Sequence, residues 1–153
     1  MLHAKEKVFV PELVFGHLLT SSNYDDSIKK VTGGRNGFGA KLTNIFSRKF
    51  TVTTADTKNK KKFSQTFRNN MSSKSDPKIE AFPSESYDFT EVAFEPDLKK
   101  FGMHNMDRDI ESLLVKRVYD LAGVTPSSVG VYLNGKKITH VKNFQTYIDL
   151  YFK

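Results

Sequence analysis

The sequence predicts a chain of the α/β (α+β) class, in which a mostly antiparallel sheet carries helices on one face. Two observations predict it: apolar and polar residues alternate in segments that turn back on themselves, and apolar residues recur at helical spacing in the segments between. The chain has 153 residues, of which 38% are hydrophobic and 13 are Phe. It is therefore long enough to bury a core, and we do not expect it to be disordered.

The first predicted helix begins at Pro11, which suits the first helical position, and ends near Thr20. Its expected apolar face has five members: Leu13, Val14, Phe15, Leu18 and Leu19. The carboxylate of Glu12 could act as a general base, and the imidazole of His17 could bind a metal. A first-turn acid and a surface imidazole are the more ordinary roles for these two residues, so we expect a core helix here rather than a site.

Residues 49–55 and 61–67 predict the two strands of a hairpin, joined by a turn. The side chains expected to point inward are Phe50, Val52, Thr54, Phe63 and Phe67. The four lysines at positions 58 and 60–62 allow nonspecific contacts with DNA phosphates, but a solvated hairpin tip is preferred because lysine also protects exposed strand edges. Residues 69–86 predict a long polar loop, and residues 87–94 predict a further strand.

The second half of the chain predicts a long helix, a hairpin and a last helix. Asp107 is the expected N-cap of the long helix, and Gly123 fits its C′ position. The apolar stripe expected on that helix is Ile110, Leu113, Leu114, Val118 and Leu121. Asn134-Gly135 predicts a type I′ turn between strands at residues 128–133 and 136–141. The last helix is predicted by helical spacing of Phe144, Tyr147, Ile148 and Tyr151.

The composition excludes some classes of protein. The chain contains no Cys, which excludes a disulfide framework and thiolate metal sites. It has no apolar run of about 18 residues and no charged leader followed by an apolar segment, so we expect neither membrane association nor secretion. The net charge of +7 and the pI near 9.5 favour a polyanionic partner such as a nucleic acid or a nucleotide.

The most distinctive stretch is residues 31–41, Val-Thr-Gly-Gly-Arg-Asn-Gly-Phe-Gly-Ala-Lys. Its glycines let the backbone approach a ligand closely. A helix expected from residue 37 or 38 to about residue 47 would point unpaired N–H groups at phosphate oxygens. Arg35 and Lys41 bracket the stretch with two cations. The buried face of this helix is expected to be apolar: Leu42, Ile45 and Phe46.

The stretch matches neither of two common phosphate-binding motifs. Ala40 intervenes before Lys41, and Leu42 stands where a P-loop has Ser or Thr. The dinucleotide-binding fingerprint needs a further glycine at position 42 and a buried strand before the glycines. By composition alone, the residues leave two interpretations open: a phosphate cradle, and a surface loop that ends in a helix cap.

A longer stretch resembles a known family. Residues 18–26, Leu-Leu-Thr-Ser-Ser-Asn-Tyr-Asp-Asp, and residues 29–42 resemble the ATP lid of eukaryotic type II DNA topoisomerases, and the resemblance continues to residue 153. That family's ATPase domain belongs with the gyrase, histidine-kinase and mismatch-repair ATPases. The resemblance implies a two-layer sandwich, a partial Bergerat-type ATPase domain. Residues 1–48 would supply a core helix, the ATP lid and the phosphate-binding helix, and residues 49–153 the sheet, long helix, hairpin and terminal helix.

The resemblance also implies which residues bind ATP. Ser21, Ser22 and Asn23 would contact the ribose and phosphate side of the nucleotide. The triphosphate would be wrapped by eight consecutive residues: Gly34, Arg35, Asn36, Gly37, Phe38, Gly39, Ala40 and Lys41. No catalytic residue and no metal ligand is expected in this chain. In the family, the general base, the Mg²⁺-binding asparagine and the adenine-reading aspartate precede it, and the γ-phosphate lysine and the DNA-cleaving tyrosine follow it.

The function implied by the resemblance is that of a portion of an ATP-dependent type II DNA topoisomerase, which passes one DNA duplex through a double-strand break in another. The whole enzyme would use ATP and Mg²⁺, bind double-stranded DNA, form a homodimer and work in the nucleus. Alone, this chain is expected to bind ATP weakly or not at all and not to hydrolyse it, because hydrolysis needs a general base. The alternative is a non-catalytic nucleotide- or DNA-binding module from a truncated topoisomerase gene.

Overall fold

The computed structural model describes residues 2–21, 25, 27–29, 34, 36–83, 85 and 87–152, which form two compact units, Met1–Gly102 and Met103–Lys153. The first unit contains helices α1 (Val10–Gly16) and α2 (Gly39–Ile45) and strands β1 (Ser47–Asp56), β2 (Lys61–Arg68), β3 (Ser73–Lys74), β4 (Lys78–Ala81) and β5 (Phe89–Pro96), followed by a short 3-10 helix, Leu98–Phe101. The second contains α3 (Arg108–Val124), β6 (Tyr132–Leu133), β7 (Lys136–Lys137), α4 (Phe144–Ile148) and the 3-10 helix Asp149–Tyr151.

The first unit is built on a five-stranded antiparallel sheet. Its order is β3-β2-β1-β5, and β4 also pairs with β2. The core consists of the inward side chains of the two central strands: Phe50, Val52, Phe63 and Phe67. Phe9 and Phe15, just before and within α1, pack on these side chains. The α+β class, the antiparallel hairpin and four of its five predicted inward residues are therefore confirmed; Thr54 is only half-buried and lies outside the core, with its hydroxyl donating to the Phe89 carbonyl.

The apolar face of the sheet is not covered across its whole width. Phe94 and Val92 of β5 lie opposite Phe50 and Val52 of β1 and so point to the same face. Both β5 side chains are nevertheless exposed, whereas their β1 partners are fully buried. The core therefore lies beneath β1 and β2.

The first helix is shorter than predicted. It ends at Gly16, because His17 is extended and the Thr20 hydroxyl donates back to the carbonyls of Leu13 and His17. Leu18 and Leu19 follow the helix and are exposed, so the prediction that they belong to its apolar face is wrong. Gly16 itself allows a close approach to the sheet, since a Cβ there would lie 2.8 Å from the ring of Phe67.

The predicted loop at residues 69–86 contains two short strands, so the loop prediction is wrong over β3 and β4. Residues 78–81 show no apolar alternation because β4 is largely exposed on both faces. Its pairing with β2 is supported by an ion pair between Lys62 and Glu80 at 3.1 Å. Short, charged edge strands of this kind leave little hydrophobic signal in a sequence.

In the second unit, the predicted N-cap of α3 is confirmed, because Asp107 Oδ1 accepts a hydrogen bond from Ile110 N at 2.9 Å. The predicted C′ role of Gly123 is wrong. Gly123 lies inside the helix, where a Cβ would be 2.8 Å from Tyr147 of α4, and the helix runs on to Val124. The small residues Ala122 and Gly123 are buried against α4 and the hairpin region, while most of the predicted stripe is exposed: Leu113, Leu114 and Leu121.

The predicted hairpin turn is also confirmed. Asn134 and Gly135 both have positive φ, 49° and 77°, as a type I′ turn requires. The paired strands are only two residues each, shorter than predicted. Within the described residues, none of the helices has both the length and the apolar character that a membrane crossing requires.

Candidate functional site

The glycine-rich stretch leads into α2, whose buried face is polar. Lys41 is only 4% exposed and Asn44 only 1%, and Ser47 after the helix is equally buried. Leu42, by contrast, is 47% exposed, and Phe46 is also on the exposed side. The prediction that Leu42, Ile45 and Phe46 form the buried face is therefore wrong for Leu42 and Phe46, whereas Ile45 is half-buried. The helix also starts later and ends earlier than predicted, at Gly39–Ile45, because β1 begins at Ser47.

Specific hydrogen bonds replace apolar packing on this face. Asn44 Nδ2 donates to the carbonyl of Phe15 in α1 at 3.1 Å, and the Ser47 hydroxyl donates to the carbonyl of Thr43 at 2.6 Å. On the far side of the helix end, Asp97 N donates to the Phe46 carbonyl at 2.7 Å. At Asn44 and Ser47 the polar face is tolerated because the side-chain donors find acceptors.

Three of the predicted site residues converge before α2. Gly37 has a φ of 64°, which favours glycine, and a Cβ added there would lie 3.3 Å from Lys41 Nζ and 3.3 Å from both the Cβ and the backbone N of Ser21. Ser21, at the end of the segment that follows α1, and Lys41, on α2, therefore meet around a glycine. Any larger residue at position 37 would crowd the ammonium.

The Lys41 ammonium is electrostatically unusual. Burial lowers the pKa of Lys41 below its ordinary value, because an ammonium removed from water loses hydration. No salt bridge to Lys41 is found among the residues that the structure describes. A buried ammonium without an ion-pair partner favours the binding of an anion, because the anion would replace the interactions with water that the ammonium has lost.

The remaining predicted site residues are distributed around this point. Gly34 and Asn36 are exposed, Phe38 stands at the N-cap position of α2 and is largely exposed, and Gly39 and Ala40 form the helix's first turn. Ser22, Asn23 and Arg35 lie outside the described residues. The fit of this stretch to a phosphate group thus depends on Ser21, Gly37 and Lys41.

Three other features of the sequence allow a functional role: Glu12, His17 and the lysine run. Glu12 is buried and forms an ion pair with Lys74 of β3, Nζ to Oε1 at 2.5 Å. His17 is half-buried, and within the described part of the chain no group of three or more His, Cys, Asp or Glu side chains is placed to hold a metal. The lysine run lies at the tip of the β1–β2 hairpin, as predicted, and its first members are exposed.

The buried face expected from the sequence does not include Asn44. Positions 41, 44 and 47 share the three-residue spacing of one helix face, but their side chains are polar and therefore give no apolar signal.

Comparison with known proteins shows the family of the chain. No protein-family model matches the chain. The chain is 56% identical to DNA topoisomerase 2 of Arabidopsis thaliana over 150 residues and 59% identical to DNA topoisomerase 2-beta of Gallus gallus over 151 residues. These matches cover 98% and 99% of the chain. The chain belongs to the eukaryotic type II DNA topoisomerase family.

Solved structures place the match within one part of these enzymes. The ATPase region of Saccharomyces cerevisiae topoisomerase II superposes with a TM-score of 0.91 at 50% identity, covering 99% of this chain and 39% of that one. The ATPase and transducer domains of DNA topoisomerase II from Balamuthia mandrillaris give 0.89 at 44% identity, covering 98% of this chain and 38% of that one. The chain spans 10% and 9% of the Arabidopsis and Gallus proteins.

Proposed function

We propose that this chain forms the ATP lid and phosphate cradle of an ATP-dependent type II DNA topoisomerase, which passes one DNA duplex through a double-strand break in another. The observation that carries the proposal is the approach of Ser21 and the buried ammonium of Lys41 around Gly37. The similarity to the ATPase region of topoisomerase II supports the same assignment.

In this proposal each of the three residues has a separate task. Lys41 attracts a phosphate oxygen and donates to it, since its ammonium is buried and carries three N–H donors. Gly37 leaves room for that approach, because it places no side chain beside the ammonium. Ser21 brings the lid segment against the same point and offers a hydroxyl. ATP, when bound, supplies the phosphoanhydride bond that is hydrolysed.

The other predicted contacts belong to the same proposal. Ser22 and Asn23 would meet the ribose and phosphate side, and Arg35 would add a second cation. The backbone between Gly34 and Ala40 would wrap the triphosphate. The Mg²⁺ ligand and the general base are expected in the residues that precede this stretch in the family, so we expect no ATP hydrolysis by this chain alone. Binding of duplex DNA, a homodimer and a nuclear location are proposed for the whole protein.

The experiment is a titration of the chain with a non-hydrolysable ATP analogue, comparing the wild type with Lys41→Ala. We expect the substitution to weaken binding about tenfold or more, because a charge-assisted hydrogen bond to phosphate contributes about 1.5 to 3 kcal/mol. Lys99→Ala is the matched control, because it removes the same charge from an exposed position on the 3-10 helix Leu98–Phe101. Its affinity should equal that of the wild type.

Equal affinities of all three proteins would remove Lys41 from the site. If the chain instead bound duplex DNA with an affinity that fell steeply with salt, and bound no nucleotide, the non-catalytic DNA-binding module would be the better assignment. The net charge of +7 is the observation that supports that alternative.

A further inference from the structure

Asn44 has a feature that its role in packing does not explain. It lies three residues after Lys41 on the buried face of α2 and is 1% exposed. Its Nδ2 donates to the Phe15 carbonyl of α1 at 3.1 Å. Its Oδ1 is buried and has no hydrogen-bond partner among the described residues. Burying an amide whose oxygen accepts no hydrogen bond costs free energy. If only packing mattered, an apolar residue of the same size would therefore be expected at this position.

The hydrogen bond from Asn44 to the Phe15 carbonyl connects two helices. Among the residues that the structure describes, it is the side-chain hydrogen bond that joins α1 to α2. Residues three apart on a helix are neighbours on one face, so the position of Asn44 against α1 also sets the position of Lys41. Leu42 on the outward side of α2 is exposed, and the other hydrogen bonds that hold the helix lie at its C-terminal end, from Asn70 Nδ2 to the Ile45 carbonyl at 2.9 Å and from Asp97 N to the Phe46 carbonyl at 2.7 Å.

We propose that Asn44 is a positioning residue of the phosphate cradle. By tying α2 to the Phe15 carbonyl, it holds the Lys41 ammonium beside Gly37 and Ser21, where a phosphate group is recognised. This inference rests on the proposed function, because it concerns the same site.

The chain contains a matched control for this idea. Gln65 of β2 is also a buried amide, 1% exposed, whose Nε2 donates to one backbone carbonyl, that of Ser75, at 3.0 Å. Its Oε1 likewise has no partner among the described residues. Gln65 lies in the sheet opposite Val52 rather than on α2, so it shares the chemistry of Asn44 without its location.

The test compares Asn44→Leu with Gln65→Met, which are both nearly isosteric and both remove the amide. For each variant, the affinity of the chain for inorganic triphosphate is measured by calorimetry, and stability is measured by urea unfolding. We expect both variants to change stability, but only Asn44→Leu to weaken triphosphate binding, by about tenfold. Lys41→Ala serves as the reference for loss of the site.

The outcomes separate the inference from the proposed function. The wild-type chain is expected to bind triphosphate weakly; if it binds none at all, the cradle does not form in this chain and both are overturned. If Lys41→Ala abolishes binding while Asn44→Leu binds like the wild type, only the inference is overturned. Equal weakening by Asn44→Leu and Gln65→Met also overturns it, because the effect would then follow stability rather than position.

A measurement on the wild type covers the case in which Asn44→Leu does not fold. The side-chain amide resonances of Asn44 and Gln65 are followed by NMR while triphosphate is added. The inference predicts that the Asn44 amide shifts and the Gln65 amide does not. Unchanged resonances for both amides, with binding demonstrated by other signals, would overturn it.

Discussion

The sheet core and the buried face of α2 belong to one unit but are built with opposite chemistry. Beneath the sheet, Phe50, Val52 and their neighbours are buried against aromatic rings from the α1 segment. On α2, the buried side chains are an ammonium and an amide, with the buried Ser47 hydroxyl just after the helix, while Leu42 faces outward. One region is stabilised by removing apolar area from water, and the other by a few hydrogen bonds.

The difference indicates what each region is for. Burying a Phe side chain contributes about 1.5 to 3 kcal/mol, whereas burying an ammonium or an amide costs free energy unless partners are supplied. The sheet core therefore supplies stability to the unit. The buried face of α2 instead retains polar groups that lack partners among the described residues, namely Asn44 Oδ1 and the Lys41 ammonium, so it contributes less to stability.

The largest effect that separates the two regions is expected from a matched pair of Phe substitutions. Phe50→Ala should lower the free energy of unfolding by about 3 to 5 kcal/mol, because it leaves a cavity in the core. Phe46→Ala, at the exposed side of the α2 terminus, should cost about 1 kcal/mol, mostly from its ring contact with Phe101 at 5.2 Å. Urea unfolding followed by circular dichroism measures both.

Comparable losses for the two variants would break the comparison. They would mean that the apolar side of α2 is covered in solution. Repeating the unfolding at several protein concentrations then distinguishes self-association, since only an association makes the midpoint depend on concentration.

The features that the sequence predicts well are those decided by local rules. The alternation of Phe50 and Val52 predicts which side of β1 is buried, because a strand has only two faces. The type I′ turn follows from Asn134 and Gly135, which tolerate positive φ, and the N-cap follows from Asp107, whose carboxylate reaches back to the helix. Each of these depends on one or two residues and no distant partner.

The features that it predicts poorly are decided by the partner surface. On α2 and α3, apolar side chains exist on the exposed side, and the contact is made by polar or small residues instead. Gly16 and Gly123 are similar cases, because each allows a neighbouring ring to approach closely and neither has a local role as a helix terminator. Which face of a helix is buried cannot be read from apolar spacing when the packing partner is an aromatic ring or a carbonyl.

An intermediate effect is expected at the ion pair between Glu12 of α1 and Lys74 of β3, which lies within the first unit and joins a buried carboxylate to a half-exposed ammonium. Lys74→Ala leaves the Glu12 carboxylate buried without its cation, and we expect a loss of about 2 kcal/mol, moderated because the Lys74 side chain is itself half exposed. Lys62→Ala breaks a more exposed pair with Glu80 and should cost about 0 to 1 kcal/mol. Both are measured by urea unfolding.

A double variant tests whether the unpaired Glu12 carboxylate causes the loss of stability. In Lys74→Ala with Glu12→Leu, the uncompensated charge is gone, so part of the lost stability should return. A double variant that is less stable than Lys74→Ala alone would contradict the idea that the unpaired carboxylate is the source of the loss.

The smallest effect is expected in the second unit, where Asp120 accepts hydrogen bonds from Lys116, at 2.8 Å, and from the Tyr147 hydroxyl. The bond to Asp120 raises the pKa of Tyr147 from 10.0 to about 12. Because the folded value is the higher one, this contribution to stability is complete below pH 10 and is lost as the pH rises towards about 12. Over that window the melting temperature of the wild type should fall more than that of Tyr147→Phe, which has no hydroxyl to titrate. Parallel declines in the two proteins would show that this exposed cluster, unlike the buried pair at Glu12, does not contribute to folding.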